Sequence, residues 1–322
     1  MNQNFTHTPV MLKEVLDFFS PIAQKQGWFI DATLGGAGHA KAILENHSGL
    51  SLLGIDQDQI AIEAATELLQ FFSSRVVIKK ARFDEISKIA RSVGAENNVL
   101  GILMDLGLSS PQIDFAHRGF SYSLEGPLDM RMDTTSPRTA SLVINQSSQE
   151  ELINLFKSNG EPQFAKRITS AIIKNRPIKT TTELAQIVDS AVPRANRRKG
   201  HPAKRVFQAI RIAVNQEIEV LRSGLEQAID LLSPQGRLVV ISYHSGEDQL
   251  VKQVFQDAGS GGCRCPYYLP CVCGAIPKAK VLTTGSRKAT SNEISFNSRS
   301  SSARLRSLEA LDFNKSSHLG SM

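Results

Sequence analysis

The sequence predicts an α/β fold, a doubly wound parallel sheet interrupted by an inserted helical domain. Three observations predict it. Two apolar runs each end in an acid: Phe29-Ile-Asp31, followed by the glycine turn Gly35-Gly-Ala-Gly38, and Leu52-Leu-Gly-Ile-Asp56. Strand-like runs then alternate with helical patterns as far as Ser110, the order that builds parallel strands with crossover helices. From about 138 to 200 only helical patterns occur, and strand-like sequence returns at 237–243.

Taken in order, strands are expected at 28–33, 51–56, 76–81 and 99–106, and helices at 37–46, 58–72 and 83–92. The helix from Asp58 opens on a capping acid, and Ile60, Ile62, Ala64, Ala65, Leu68 and Leu69 recur broadly at helical spacing. Residues 111–137, rich in Gly, Pro, Asp and Ser, read as an ordered loop. Leu152, Leu155 and Phe156, then Phe164, Ile168, Ile172 and Ile173, then Leu184, Ile187, Val188 and Ala191 mark helical faces in the insertion. One long helix is expected over 203–232, with Phe207, Ile210, Val214, Ile218 and Leu221 on one face, then strand 237–243 and a helix from about 247. The expected divisions are 1–112, the first part of the core; 113–202, the inserted domain; 203–312, the second part with a Cys-rich hairpin; and 313–322, a disordered tail or cloning scar.

A chain of 322 residues can bury a large core as one domain or two. Its 41% hydrophobic and 21% charged content describes a soluble globular protein. No apolar run reaches the roughly 18 residues that span a membrane, and the first residues lack a signal pattern. A cytoplasmic location is therefore expected. The net charge of +6 permits an anionic partner such as nucleic acid. Arg194, Arg197, Arg198, Lys199, Lys204 and Arg205 form one basic run, and Arg287, Lys288, Arg299, Arg304 and Arg306 a second. Such runs are either solvated faces or phosphate contacts. Flanking a cofactor domain, they favour the second reading.

Glycines in the first turn, Gly36 included, let the backbone approach a ligand, and the acid at the tip of the second strand, Asp56, suits ribose hydroxyls. The dinucleotide pattern G-x-G-x-x-G fails at Gly36-Ala-Gly38-His-Ala-Lys41, where Lys41 replaces the third glycine. Asp31 would face a pyrophosphate unfavourably. It suits S-adenosylmethionine, which carries an ammonium and a sulfonium. The plain alternative is a core strand followed by an ordinary glycine turn.

The fourth strand ends in Met104-Asp-Leu-Gly-Leu-Ser-Ser-Pro-Gln112. Sites of doubly wound sheets lie beyond the carboxyl ends of the strands, so Asp105, Ser109, Ser110 and Gln112 stand beside the cofactor. An exocyclic base amine is a poor nucleophile because its lone pair is conjugated with the ring. Acceptors for its N–H bonds break that conjugation and aim the nitrogen. Asp105, Ser109 and Ser110 are the candidates for this work; a tight turn of small polar residues is the alternative.

Several segments together resemble one family: His7-Thr-Pro-Val10, Asp31-Ala-Thr-Leu-Gly35, Asp105 to Gln112, Arg118-Gly-Phe-Ser121, Gly126-Pro-Leu-Asp-Met-Arg-Met-Asp133, Phe164-Ala-Lys-Arg-Ile168, His201-Pro-Ala-Lys-Arg205, Phe207-Gln-Ala-Ile-Arg211 and Ser242-Tyr-His-Ser245. The chain resembles the bacterial 16S ribosomal RNA cytosine-N4 methyltransferases from its start to about residue 312. The resemblance implies a class I methyltransferase core with a helical insertion and S-adenosylmethionine as donor. It implies as substrate a cytidine of 16S rRNA in the decoding centre of the small ribosomal subunit. It also implies Ala37, Gly38 and His39 on the donor, Asp56 on its ribose and Phe83 against adenine, with Asp105 and Gln112 completing the site. Ser298 and Ser301 stand where the family tends to have Pro and Arg, and Gly246 and Gln249 replace a usual Leu and Arg. These departures weaken the expected C-terminal RNA contacts.

His244 ends the fifth strand and reads as structural or substrate-positioning rather than as a base. Phe120 and Tyr122 either stack on a flipped cytosine or anchor their loop. Cys263, Cys265, Cys271 and Cys273 could hold zinc; reduced thiols in a surface hairpin are the alternative. The cysteines lie far from the fourth strand, so no thiol is expected to attack the base, as carbon methylation would need. Rival readings are a methyltransferase of DNA or a small amine, a donor-binding ribosome assembly factor, and, most weakly, a dehydrogenase. The sequence leaves open whether the chain pairs as a homodimer.

Overall fold

A computed structural model describes residues 9–107, 113–193, 201–266, 268 and 272–312. Among these, the residues up to Gly107 and from Glu219 form one compact unit, and those between form a second.

The first unit is built on eight strands. They are β1 (Gly27–Asp31), β2 (Leu50–Asp56), β3 (Val76–Lys80), β4 (Val99–Asp105), β5 (Leu232–Ser242), β6 (Ala279–Val281), β7 (Arg287–Lys288) and β8 (Arg304–Ala310). Every residue of β4 before Asp105 is buried. Parallel strands covered on both faces have to read as continuous apolar runs, and Val99-Leu-Gly-Ile-Leu-Met does. The order is β3-β2-β1-β4-β5-β8-β6, with β7 also against β8. Strands β1 to β5 are mutually parallel, and β8 runs antiparallel to β5, β6 and β7. The order therefore reverses between β1 and β4, which is where an open α/β sheet leaves a crevice at its carboxyl edge. This is a doubly wound α/β sheet, with the antiparallel β8 added beyond β5.

Helices α1 (Leu12–Phe19), α2 (Gly38–Asn46), α3 (Gln59–Leu68) and α4 (Ile86–Ser92) belong to the same unit. Asp58 caps α3 as expected, its Oδ1 accepting the Ile60 N–H at 3.1 Å. The helix expected over 58–72 ends at Leu68 and passes into a 3₁₀ segment, Gln70–Arg75. The one expected over 83–92 opens with a 3₁₀ turn, Phe83–Glu85.

The second unit holds α5 (Ala140–Gln146), α6 (Gln149–Asn159), α7 (Ala165–Lys174), α8 (Thr181–Ala191) and α9 (Ala203–Asn215). Thr139, Ser148 and Thr180 cap three of them, Ser148 in a capping box with Glu151. Leu152, Phe156, Ile168, Ile172, Leu184 and Val188 share one core with Val206, Phe207 and Ile210 of α9.

That shared core corrects the expected single helix over 203–232 and the expected return to the core at 203. Gln216 sits in the left-handed region, at φ 53°, and breaks the run into α9 and α10 (Glu217–Leu231). Asn215 is turned towards the preceding loop: its Nδ2 donates to Met130 O at 2.9 Å and its Oδ1 accepts the Met132 N–H at 2.8 Å. Arg211 donates twice to Glu217, at 2.8 Å each, across the break. The periodic apolar face continues through 216, so hydrophobicity alone could not reveal the break. Beyond it come α11 (Ser245–Ser260) and α12 (Ser291–Phe296).

Strand β5 begins at Leu232, earlier than 237, and β6, β7 and β8 have no counterpart in the sequence reading. β8 is hard to read because buried positions carry polar groups. Arg306 is 8% exposed and donates to both carboxylate oxygens of Asp248, at 2.7 and 3.0 Å.

Candidate functional site

Three acids end adjacent parallel strands: Asp31 on β1, Asp56 on β2 and Asp105 on β4. Their backbones are tied together. The Asp105 N–H donates to Thr33 Oγ1 at 2.6 Å, and the Ala32 N–H to Leu103 O at 2.9 Å. The Leu34 N–H donates to Ile55 O at 2.9 Å, linking the turn after β1 to β2.

The first turn closes on Asp56. Its Oδ2 accepts the Gly35 N–H and its Oδ1 the Asp58 N–H, each at 2.8 Å. Gly35 has φ 50° and Ala37 φ 60°. An alanine held in the left-handed region costs about 1–2 kcal/mol, and such strain concentrates at ligand-binding turns. Helix α2 then starts at Gly38, with its N-terminal N–H groups at the turn.

Electrostatics set the character of this crevice. Burial, partly offset by the Thr33 N–H, pushes the Asp31 carboxyl up to about 8, and the charges of Asp105 and Asp56 add to the rise. Burial raises Asp56 to about 6, against hydrogen bonds from Asp58, Gly35 and Gln57. A cationic ligand relieves both costs, and a phosphate worsens them. The residues present therefore fit a sulfonium- and ammonium-bearing ligand with ribose hydroxyls, and they oppose a dinucleotide.

His39 Nε2 lies 2.9 Å from the Val10 carbonyl, which can only accept, so that nitrogen carries a proton. Its Nδ1 is 3.9 Å from Asp105 Oδ2. Phe83 is half-buried at the start of its 3₁₀ turn and packs against Gly224 of α10. Gly36 stands in the glycine turn after β1, exposed. Ser109, Ser110 and Gln112 lie outside the described residues.

Tyr243 and Glu247 escape the sequence reading. The Tyr243 hydroxyl donates to Asp105; burial, then the Asp105 charge, drives this phenol far above its ordinary range. Its position just past β5 follows the same strand-end rule that finds Asp31, Asp56 and Asp105, so the signal was available. Glu247 is 3% exposed and its Oε2 accepts the Tyr243 and His244 N–H groups, at 2.8 and 3.2 Å. His244 Nδ1 accepts the Glu247 N–H at 3.3 Å, so the imidazole is the N-cap of α11. Its Nε2 is 2.9 Å from Glu247 Oε1 but off the line a hydrogen bond needs.

In the helical unit the loop through 116–137 is held by its own polar groups. Arg118, 4% exposed, donates to the Arg131 and Met132 carbonyls at 3.1 Å each. Arg131 donates to both oxygens of Asp129 at 2.8 and 2.7 Å. Glycine is obligatory at Gly126, where a Cβ would sit 1.9 Å from Ala116 O. Tyr122 stacks on His201 at 5.2 Å and meets Phe207 edge-on at 6.1 Å. It anchors the loop within this unit.

The basic runs are partly spoken for. Arg205 pairs with buried Glu161 at 2.6 Å, Arg306 with Asp248, and Arg287 lies over the Phe18 ring at 4.6 Å. Arg194, Arg197, Arg198 and Lys199 lie outside the described residues. Cys263, Cys265 and Cys273 come together in the α/β unit, and Cys271 lies outside the described residues. Among the described residues, no helix is long and apolar enough to cross a membrane.

The chain is similar to several known proteins. The ribosomal RNA small subunit methyltransferase H of Geobacter sulfurreducens is 45% identical over 314 residues, covering 95% of this chain and 99% of that protein. The protein of the same name from Thermomicrobium roseum is 46% identical over 311 residues, covering 95% and 94%. Among solved structures, an rRNA methylase from Streptococcus thermophilus aligns with a TM-score of 0.41 at 11% identity, covering 95% of this chain and 100% of that one. The model of the MraW methylase family matches residues 4–311, and the chain belongs to that family.

Proposed function

We propose that this protein methylates the N4 amine of a cytidine in the decoding centre of 16S rRNA. As a member of the MraW methylase family it is a methyltransferase whose donor is S-adenosylmethionine. When bound, the donor supplies an electrophilic methyl group on a sulfonium. One observation carries the donor side: Asp31, Asp56 and Asp105 end adjacent parallel strands at the carboxyl edge where the strand order reverses. The rRNA side rests on what the relatives are named for. The small subunit and the N4 position rest on the motifs in the sequence.

In this reading Gly36, Ala37, Gly38 and His39 bring backbone against the donor. Asp31 and Asp105 face its positive groups, Asp56 accepts from ribose, and Phe83 packs on adenine. Asp105, Ser109 and Ser110 accept the N–H bonds of the target amine, and Gln112 completes the pocket. Removing conjugation frees the nitrogen lone pair for in-line attack, and the extra proton on the product nitrogen goes to water. No covalent bond to the protein is needed, and the N-cap role of His244 leaves it holding α11 rather than moving that proton.

The test is transfer of labelled methyl groups to three acceptors: small subunits from cells lacking the protein, naked ribosomal RNA, and DNA. N4-methylcytidine on subunits alone, identified by nucleoside mass, is the expected result. Label on DNA instead, or donor binding without transfer, would refute it.

A further inference from the structure

The described residues of the loop between α11 and β6 bury little. Val272 is 89% exposed, Tyr268 72% and Ile276 61%. Its described residues contain no helix or strand. Yet both ends are fixed to the end of α11. The Gly262 N–H donates to Asp257 O at 3.0 Å, the Cys263 N–H to Ser260 O at 3.2 Å, and the Lys278 N–H to Ala258 O at 2.8 Å. Left-handed glycines stand immediately before Cys263 and after Cys273: Gly262 at φ 76° and Gly274 at φ 69°. Each places a left-handed backbone residue beside a thiol.

The result is a convergence of sulfurs. Those of Cys263, Cys265 and Cys273 all lie within 4.8 Å of one another, and the first and third are 3.5 Å apart. A disulfide requires about 2.05 Å. Thiolates placed tetrahedrally at about 2.3 Å from a zinc ion lie about 3.8 Å from each other. At 3.5 Å the Cys263 and Cys273 sulfurs are close to the second geometry and far from the first, and the 4.8 Å limit on the other pairs admits it. Soft sulfur donors also discriminate against magnesium and calcium. A segment that cannot bury apolar surface has no core to define its shape, and a metal supplies that constraint directly.

We propose that Cys263, Cys265 and Cys273 bind one zinc ion as thiolates, and that this ion shapes the loop. Binding forms sulfur–zinc bonds and releases the thiol protons to solvent, with no change in oxidation state. The sequence holds a further thiol in this stretch, Cys271.

Metal analysis of the full-length protein, purified under reductant and without chelator, tests this. About one zinc per chain is expected. Cys265→Ser and Cys273→Ser should each lose most of it while thermal melting stays cooperative and donor binding is unchanged. Cobalt(II) in place of zinc should give intense tetrahedral d–d absorption and thiolate charge-transfer bands, lost in both variants. Zinc should also slow tryptic cleavage after Arg264. Three results would overturn the proposal: folded wild-type protein that takes up no zinc when it is supplied; iron or copper bound in its place; or a Cys263–Cys273 disulfide, seen by intact mass, under the same reducing conditions.

Discussion

Asp31 is a carboxyl that folding pushes up to about 8 and that a cationic ligand would pull back, so its proton is linked to both stability and binding. Its ordinary value is 3.8. Between about 4 and about 8 the folded, ligand-free protein therefore holds a proton that the unfolded chain has released. Stability falls as pH rises through that window and levels off above it. Asp56 adds the same sign over the lower part, up to about 6. Donor binding has the opposite linkage. It favours the ionised acids, so protons leave on binding and affinity rises with pH. Asp31→Asn should melt higher than wild type at about pH 8, lose most of this slope, and bind the donor at least about tenfold more weakly. Thermal melts and titration calorimetry across the range check both halves; unchanged affinity at about pH 8 would remove Asp31 from the site. His244→Asn keeps an N-cap acceptor, so stability should change by less than about 1 kcal/mol and the transfer rate should hold. A fall in rate with a displaced pH profile and an unchanged melt would make His244 a base.

Among the elements, the ends of β1 and β4 are joined through one side chain. Thr33→Val keeps the shape of the residue and strands the Asp105 N–H, which now donates at 2.6 Å. The expected cost is about 1–3 kcal/mol, read from denaturant unfolding, together with weaker donor binding. Helix α10 meets the Phe83 turn at Gly224, where a Cβ would stand 2.5 Å from the ring. Ala in an open helix would stabilise by about 0.5–1 kcal/mol relative to Gly. Here overpacking reverses the sign, and Gly224→Ala should destabilise by about 1–3 kcal/mol. It should also weaken donor binding if Phe83 packs on adenine; a stabilised variant would show that the ring yields freely. The capping of α3 by Asp58 was legible because a cap is local chemistry. The break at Gln216 was not, because Asn215 is diverted by Met130 and Met132, more than 80 residues away in sequence.

At the scale of the molecule, charge and topology separate two jobs. The net charge of +6 should matter for the RNA and not for the small donor. Between about 50 and about 200 mM salt, transfer to subunits at limiting concentration should fall by tenfold or more, roughly as phosphate contacts would dictate, while donor affinity changes little. Equal sensitivity of the two would mean that the basic residues serve the fold alone. Arg205, Arg306 and Arg287 each already have a contact within the fold, to Glu161, Asp248 and the Phe18 ring. Composition counts such residues as available charge, and only their neighbours reveal otherwise.

The sequence by itself determined the parallel core, the helical insertion and the acids at Asp31, Asp56 and Asp105. Buried parallel strands must be apolar along their length, and a carboxylate can stand only where such a run stops. The tertiary structure alone decided where the insertion rejoins the core, the burial of Arg306 in β8, the partnership of Tyr243 with Asp105, and the meeting of Cys263 with Cys273. Each depends on contacts between segments distant in the chain, and period and composition carry no information about which distant group will neutralise a charge or turn a helix.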